Sequence, residues 1–118
     1  MSRRRKDFGD WGERLACDFL RRHGFKVVGQ NYFTSAGEID IIATKGGDYY
    51  FIEVKARRTG DLAHDTAITT RKRENLARLI NSYCYKHNIA DRSVIPAGLI
   101  LSVDKGKGTV RFMFCVLY

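Results

Sequence analysis

No apolar run in these 118 residues approaches the ~18 needed to cross a bilayer, so the sequence offers no membrane span. The opening Met1-Ser-Arg-Arg-Arg-Lys6 leads into Asp7, Gly9, Asp10 and Glu13, without the apolar stretch of a secretory signal. Cysteine is scarce. Cys17, Cys84 and Cys115 are odd in number, far apart and set in apolar or helical surroundings. They are expected to be reduced and mostly buried, as in a cytoplasmic protein. There is no CxxC, and His23, His64 and His87 lack ligand spacing, which argues against zinc. Repeats, low-complexity tracts and linkers are missing too, so one domain over residues 8–118 is expected, preceded by a basic arm at 1–7. Acidic residues are the minority: 13 Asp+Glu against 21 Lys+Arg leave a formal charge of +8. That excess predicts a polyanionic partner, nucleic acid first.

What is present reads as α/β. Phe8, Trp11, Leu15 and Phe19 share one sector of a helical wheel, predicting a helix over Phe8–Arg22 with Asp7 as N-cap and Gly24 as the C′ residue. Phe25–Phe33, Glu38–Thr44 and Tyr49–Ala56 read as strands, the last two joined around Gly46-Gly47. Arg57–Thr69 has no clear period and reads as a mobile loop. Thr70–His87 is a second helix with Leu76, Leu79, Ile80 and Tyr83 on one face. Val94–Val103 and Thr109–Leu117 follow as strands. The order α-β-β-β-α-β-β predicts one mixed sheet flanked by two helices.

The hairpin concentrates the chemistry. A symmetric loop centred on Gly46-Gly47 sets Asp40 opposite Glu53 and Glu38 opposite Lys55. Strict alternation then puts Glu38, Asp40, Glu53 and Lys55 on one face, shared with Ile42 and Phe51. Ile39, Ile41, Ile52 and Val54 fall on the other. Opposed side chains stand about 5 Å apart, where like charges repel. A hard divalent cation would relieve Asp40 and Glu53, since Mg²⁺ takes one or two carboxylates and keeps waters for a substrate phosphate. Lys55 would sit beside it, able to serve an attacking water or offset phosphate charge. The plain alternative is a set of cross-strand ion pairs, Glu38 with Lys55 and Asp40 solvated.

Glu13 falls at the rim of the first helix's apolar stripe, where it either reaches the hairpin or stays in water. Gly9 and Gly12 would allow that helix to approach closely. Lys72, in the sector of Leu76 and Leu79, either points at the site or snorkels past the core edge.

In order, the chain carries Gly9-x-x-Gly12-Glu13-x-x-Ala16-x-x-Phe19-Leu20, Gly24-Phe25, Asn31-Tyr32, Gly37-Glu38-Ile39-Asp40-Ile41-Ile42-Ala43 and Phe51-Ile52-Glu53-Val54-Lys55-x-Arg57. This string resembles the YraN-like family of small bacterial proteins, held to be endonucleases. The Asp40…Glu53-Val54-Lys55 part resembles the PD-(D/E)xK nuclease signature. The helix glutamate and hairpin are similar to those of archaeal Holliday-junction resolvases. The resemblance covers roughly residues 8 to 86. It implies a restriction-endonuclease-like fold, with Mg²⁺ (or Mn²⁺) on Asp40 and Glu53, Lys55 serving the attacking water, and Glu13 an accessory ligand. Ile39 stands where the superfamily usually has proline, as the family's Gly-Glu-Ile-Asp form allows. The departures come at Arg92-Ser93-Val94 and over Phe112–Tyr118, which leaves the C-terminal third open to rearrangement.

Arg57, Arg58, Arg71, Lys72 and Arg73 flank this site in sequence and are the candidate phosphate contacts, as are Arg3–Lys6 in the arm. Tyr32, Phe33, Tyr49 and Tyr50 could stack on bases or simply pack the sheet. The run Arg111–Tyr118 is either a buried strand or an edge that pairs with another copy, which leaves a homodimer open. The leading expectation is a metal-dependent nuclease acting on DNA, with branched or damaged structures as the candidate substrates. The alternatives are a non-catalytic nucleic-acid-binding module that keeps the same fold, and a structural protein resting on an anionic partner.

Overall fold

The computed structural model describes residues 3–59 and 70–117, with side chains from residue 7 in the first stretch and from 74 in the second. Its elements follow the expected order: α1 (Arg3–Arg22), β1 (Lys26–Thr34), β2 (Gly37–Lys45), β3 (Asp48–Arg58), α2 (Thr70–Lys86), β4 (Val94–Asp104) and β5 (Thr109–Val116). The five strands form one mixed sheet in the order β1-β2-β3-β4-β5, antiparallel except for the β3–β4 pair. A parallel pair needs a long crossover, and α2 lies within it.

Element ends fall within one residue of the sequence reading, except at two places. The first helix begins at Arg3, so Asp7 is a helical residue and not the N-cap. The basic run Arg3–Lys6 therefore forms the helix's opening turns, which straight-chain Arg and Lys tolerate well. The strand β3 runs on through Arg58, because the long neighbour β4 pairs with it as far as Arg58–Val103. Arg57 and Arg58 are thus strand residues, and the rest of the expected loop, 60–69, lies outside the described residues. The end of α1 closes as anticipated. Gly24 sits at φ 87, Phe25 N–H donates to Leu20 O at 2.9 Å and Gly24 N–H to Arg21 O at 3.2 Å.

Each face of the sheet carries its own core. On one, Ala16, Cys17 and Leu20 of α1 pack with Ile41, Ala43, Ile52, Ala97, Leu99 and Leu101. On the other, Leu79, Ile80 and Tyr83 of α2 pack with Ile39, Ile42 and Phe51. Cys17 is buried as expected, whereas Cys84 and Cys115 are only half-buried; all three are free thiols. Among the described residues, β5 pairs with β4 alone, so the Arg111–Val116 run is an edge of the sheet and not an enclosed strand. No described helix is long and apolar enough to cross a membrane.

Candidate metal centre

The turn sets the hairpin register. Gly46 and Gly47 both adopt positive φ, 61° and 86°, the conformation a two-residue primed turn needs. Pairing then runs Lys45–Asp48, Thr44–Tyr49, Ala43–Tyr50, Ile42–Phe51 and Ile41–Ile52, the register anticipated from sequence.

There the β2–β3 ladder stops. The beginning of β2 stays with β1 as far as Thr34–Gly37, while the end of β3 stays with β4. Between these diverging strands Asp40 does not form the expected pair with Glu53. Its Oδ2 instead accepts a hydrogen bond from Val54 N–H at 2.8 Å, so a side chain takes the place of the next ladder bond. The neighbouring strand keeps its register here but carries an unusual backbone angle at the same level. Gln30 pairs with Ile41 and Tyr32 with Ile39, but Asn31 between them is held at φ 51. Asparagine is one of the few residues that enters this left-handed region readily.

The consequence is a change of face. Ile41 belongs to the α1 core, yet Ile39 joins Ile42 and Phe51 in the α2 core. The strict alternation read from sequence is therefore overturned at Asp40. Asp40 and Glu38 open onto a cleft of about 770 Å³ beneath α1, bordered also by Phe8, Glu13, Asn31, Phe33 and Lys55. A smaller cleft of about 230 Å³ on the α2 side is bordered by Glu38, Glu53, Asn75 and Leu76. Glu38 thus stands on both.

Helix α1 brings in the third carboxylate. A β-carbon added at Gly12 would lie 2.8 Å from Ala56 Cβ, so the helix reaches β3 only because residue 12 has no side chain. Gly9 has nothing within 4 Å and plays no such part. With α1 seated this low, Glu13 meets the sheet: carboxylate oxygens of Glu13, Glu38 and Asp40 all lie within 4.8 Å of one another. Turned so that both ends of its amide are satisfied, Asn31 donates to Glu38 Oε1 at 2.8 Å and to Glu13 Oε1 at 3.2 Å.

The electrostatics follow from this crowding. Burial pushes the Asp40 carboxyl up to about 7, against the downward pull of the Val54 N–H, and the charges of Glu13, Glu38 and Glu53 add to the rise. Glu13 is raised too, first by burial, then by Glu38 and Asp10.

Of the residues singled out from sequence, Glu13 and Asp40 meet directly, Lys55 borders their cleft, and Glu53 is near enough for its charge to act on Asp40. Glu38 and Asn31 were missed as members of the centre. Glu38 was placed on the charged face with Asp40 but given no metal role, its one stated alternative being an ion pair with Lys55, and only the quoted Asn31-Tyr32 pair hinted at a fixed role for Asn31. Arg57 Nε donates to Ser102 Oγ at 3.5 Å, and the Arg58 guanidinium lies 4.8 Å from the centre of the Phe8 ring, on a neighbouring cleft that Phe8 separates from this one. Arg71, Lys72 and Arg73 occupy the first turn of α2, and their side chains lie outside the described residues.

Comparison with known proteins gives this chain a family. A model of the uncharacterised protein family UPF0102 matches residues 12–112. The chain belongs to UPF0102. It is 41% identical over 91 residues to a UPF0102 protein of Roseiflexus castenholzii, covering 75% of this chain and 73% of the relative. It is 40% identical over 89 residues to one of Desulfitobacterium hafniense, 75% and 74% of the two chains. One of Helicobacter hepaticus is 37% identical over 92 residues, 78% and 82%. The UPF0102 match extends through β4 and into β5, beyond the residue 86 at which the sequence resemblance stopped.

Proposed function

We propose that this UPF0102 protein is a metal-dependent nuclease that hydrolyses phosphodiester bonds of DNA, on a restriction-endonuclease-like fold. The observation that carries the reading is the set of carboxylates gathered where the sheet splits, with Asp40 raised to about 7 at its buried end. Holding Glu13, Glu38 and Asp40 together costs free energy unless a cation joins them. The donors are all carboxylate oxygens, the chemistry preferred by Mg²⁺ or Mn²⁺ and not by zinc.

When bound, such an ion supplies the positive charge that draws in a phosphodiester and lowers the pKa of a water molecule. Glu13, Glu38 and Asp40 would hold it, with Glu53 adding charge from the α2 side. The Val54 N–H fixes Asp40, and Asn31 fixes Glu13 and Glu38, so the carboxylates are oriented before the ion arrives. Lys55, on the wall of the same cleft, orients the attacking water and offsets the charge that builds on the phosphate oxygens. The water oxygen would bond to phosphorus as the bond to the leaving sugar oxygen breaks; one proton would end on that oxygen, delivered through solvent, to give the sugar hydroxyl, and the other would be released to solvent as the new phosphate group ionises. Arg58, stacked on the Phe8 ring that borders the cleft, would meet a phosphate further along the strand.

The test is calorimetric titration of Mg²⁺ or Mn²⁺ into the wild type and Asp40→Ala, alongside labelled branched, single-stranded and duplex DNAs. Binding that Asp40→Ala abolishes, with cleavage of any DNA lost by at least about 100-fold, is the expected result. Absent metal heat and absent cleavage, with DNA still bound, would establish a binding module instead.

A further inference from the structure

The carboxylate cleft has an aromatic wall that metal chemistry does not require. Phe33, on the edge strand β1, pairs directly with Glu38 of β2 and borders the same cleft as Glu13, Asp40 and Lys55. Phe33 is 69% exposed and belongs to neither core. The other aromatics that might have stacked on bases are engaged internally. Tyr32 meets Tyr83 edge-on and hydrogen-bonds Ser82 Oγ, Tyr49 packs against the α2 core, and Tyr50 meets Phe25 edge-on. Phe33 alone of the four is left in water.

We infer that Phe33 is a stacking platform for an unpaired nucleobase, so that the substrate enters the cleft as a single-stranded or flipped-out nucleotide. The inference rests on the nuclease reading for the phosphate but not for the base. A phenyl ring cannot bind a cation through oxygen or donate to a phosphate. What it offers is a flat apolar face, and every base has a matching one. A ligand resting on that face also lies beside Glu38. An apolar peptide there would cover carboxylates without pairing them, at a high desolvation cost. A nucleotide instead carries, one sugar away from its base, the phosphate that a cation on those carboxylates would hold. In duplex DNA the base faces are already stacked on each other, so this platform favours unpaired segments.

The test is fluorescence anisotropy of labelled single-stranded dT and U 12-mers and a blunt duplex of equal length, with Ca²⁺ in place of Mg²⁺ and again in EDTA. Stacking on one base is worth about 1–3 kcal/mol, so Phe33→Ala and Phe33→Leu should each weaken single-strand binding by roughly tenfold. Duplex affinity should stay within about twofold. Phe33→Trp should keep the affinity. Made in a Trp11→Phe background, which removes the chain's single native tryptophan, its emission should be quenched by the 12-mers. The dT and U arms show whether the unpaired base is accepted from DNA, RNA or both.

Equal losses on single strand and duplex, or wild-type affinity in Phe33→Leu, would overturn the proposal. So would a change in sedimenting mass on Phe33→Ala, which would make the ring a subunit contact. The two readings fail separately. Cleavage that persists while Phe33→Ala shows no discrimination removes the platform alone. Discrimination that persists in EDTA, with no cleavage under any metal, removes the nuclease and keeps the base site.

Discussion

At its turn end the β2–β3 hairpin pairs residue by residue from Lys45–Asp48 to Ile41–Ile52, and its side chains alternate cleanly between the two cores. Beyond Ile41 the same two strands part, a carboxylate replaces a backbone acceptor, and three acids converge with the help of a residue in positive φ. The closed half is built for burial: Ile41, Ile42, Phe51 and Ile52 are fully buried. The open half holds like charges together at a cost in free energy. Adjacent residues, Asp40 and Ile41, therefore contribute to stability with opposite sign.

The largest effect that would sharpen this contrast is in pH. Asp40 titrates near 7 in the folded chain against an ordinary 3.8, so the folded state binds more protons than the unfolded one between those values. Without divalent ions, stability should fall as pH rises from about 4 to about 7, by up to about 4 kcal/mol, with Glu13 acting in the same direction. Asp40→Asn, which keeps an acceptor for Val54 N–H, should flatten that slope and be more stable than the wild type at pH 7. Urea unfolding in EDTA across the pH range measures both. A slope unchanged by the substitution would break the comparison.

Ile41→Ala should do the reverse. Truncating this fully buried side chain should cost about 3 kcal/mol at any pH, read from the urea midpoint. Because Ile41 sits one residue from the centre, its variant should still give a metal-binding heat at temperatures where it is folded.

The smallest effect concerns the two glycines of α1. Gly12→Ala would drive a methyl against Ala56, costing about 1–2 kcal/mol and lifting Glu13 away from its partners. Gly9→Ala meets nothing and should stabilise the helix by roughly 0.5–1 kcal/mol. Thermal unfolding with and without Mg²⁺ separates them: Gly12→Ala should also lose part of the metal-induced stabilisation, and Gly9→Ala should keep it.

The candidate site was legible only in part. Asp40, Glu53 and Lys55 stood out because a hairpin places acids near one another. Glu13 stood out because it lies at the edge of an apolar stripe. Glu38 was set opposite Lys55, with an ion pair as the plain alternative, because strict alternation continues a ladder that actually ends at Ile41–Ile52. Asn31 carried almost no signal, since its role depends on a backbone angle and on acids from two other elements.

What the amino-acid order determined by itself was local. Two-residue alternation, the helical stripe and Gly46-Gly47 specify strands, helices and the hairpin register, because each rests on contacts between residues close in the chain. The tertiary structure decided where that register is abandoned. The pull of β1 on one strand and β4 on the other opens the sheet between Asp40 and Val54, and the bare flank of Gly12 lets α1 lower Glu13 into the gap. Those are contests between distant partners, and a single stretch of sequence does not contain both sides of them.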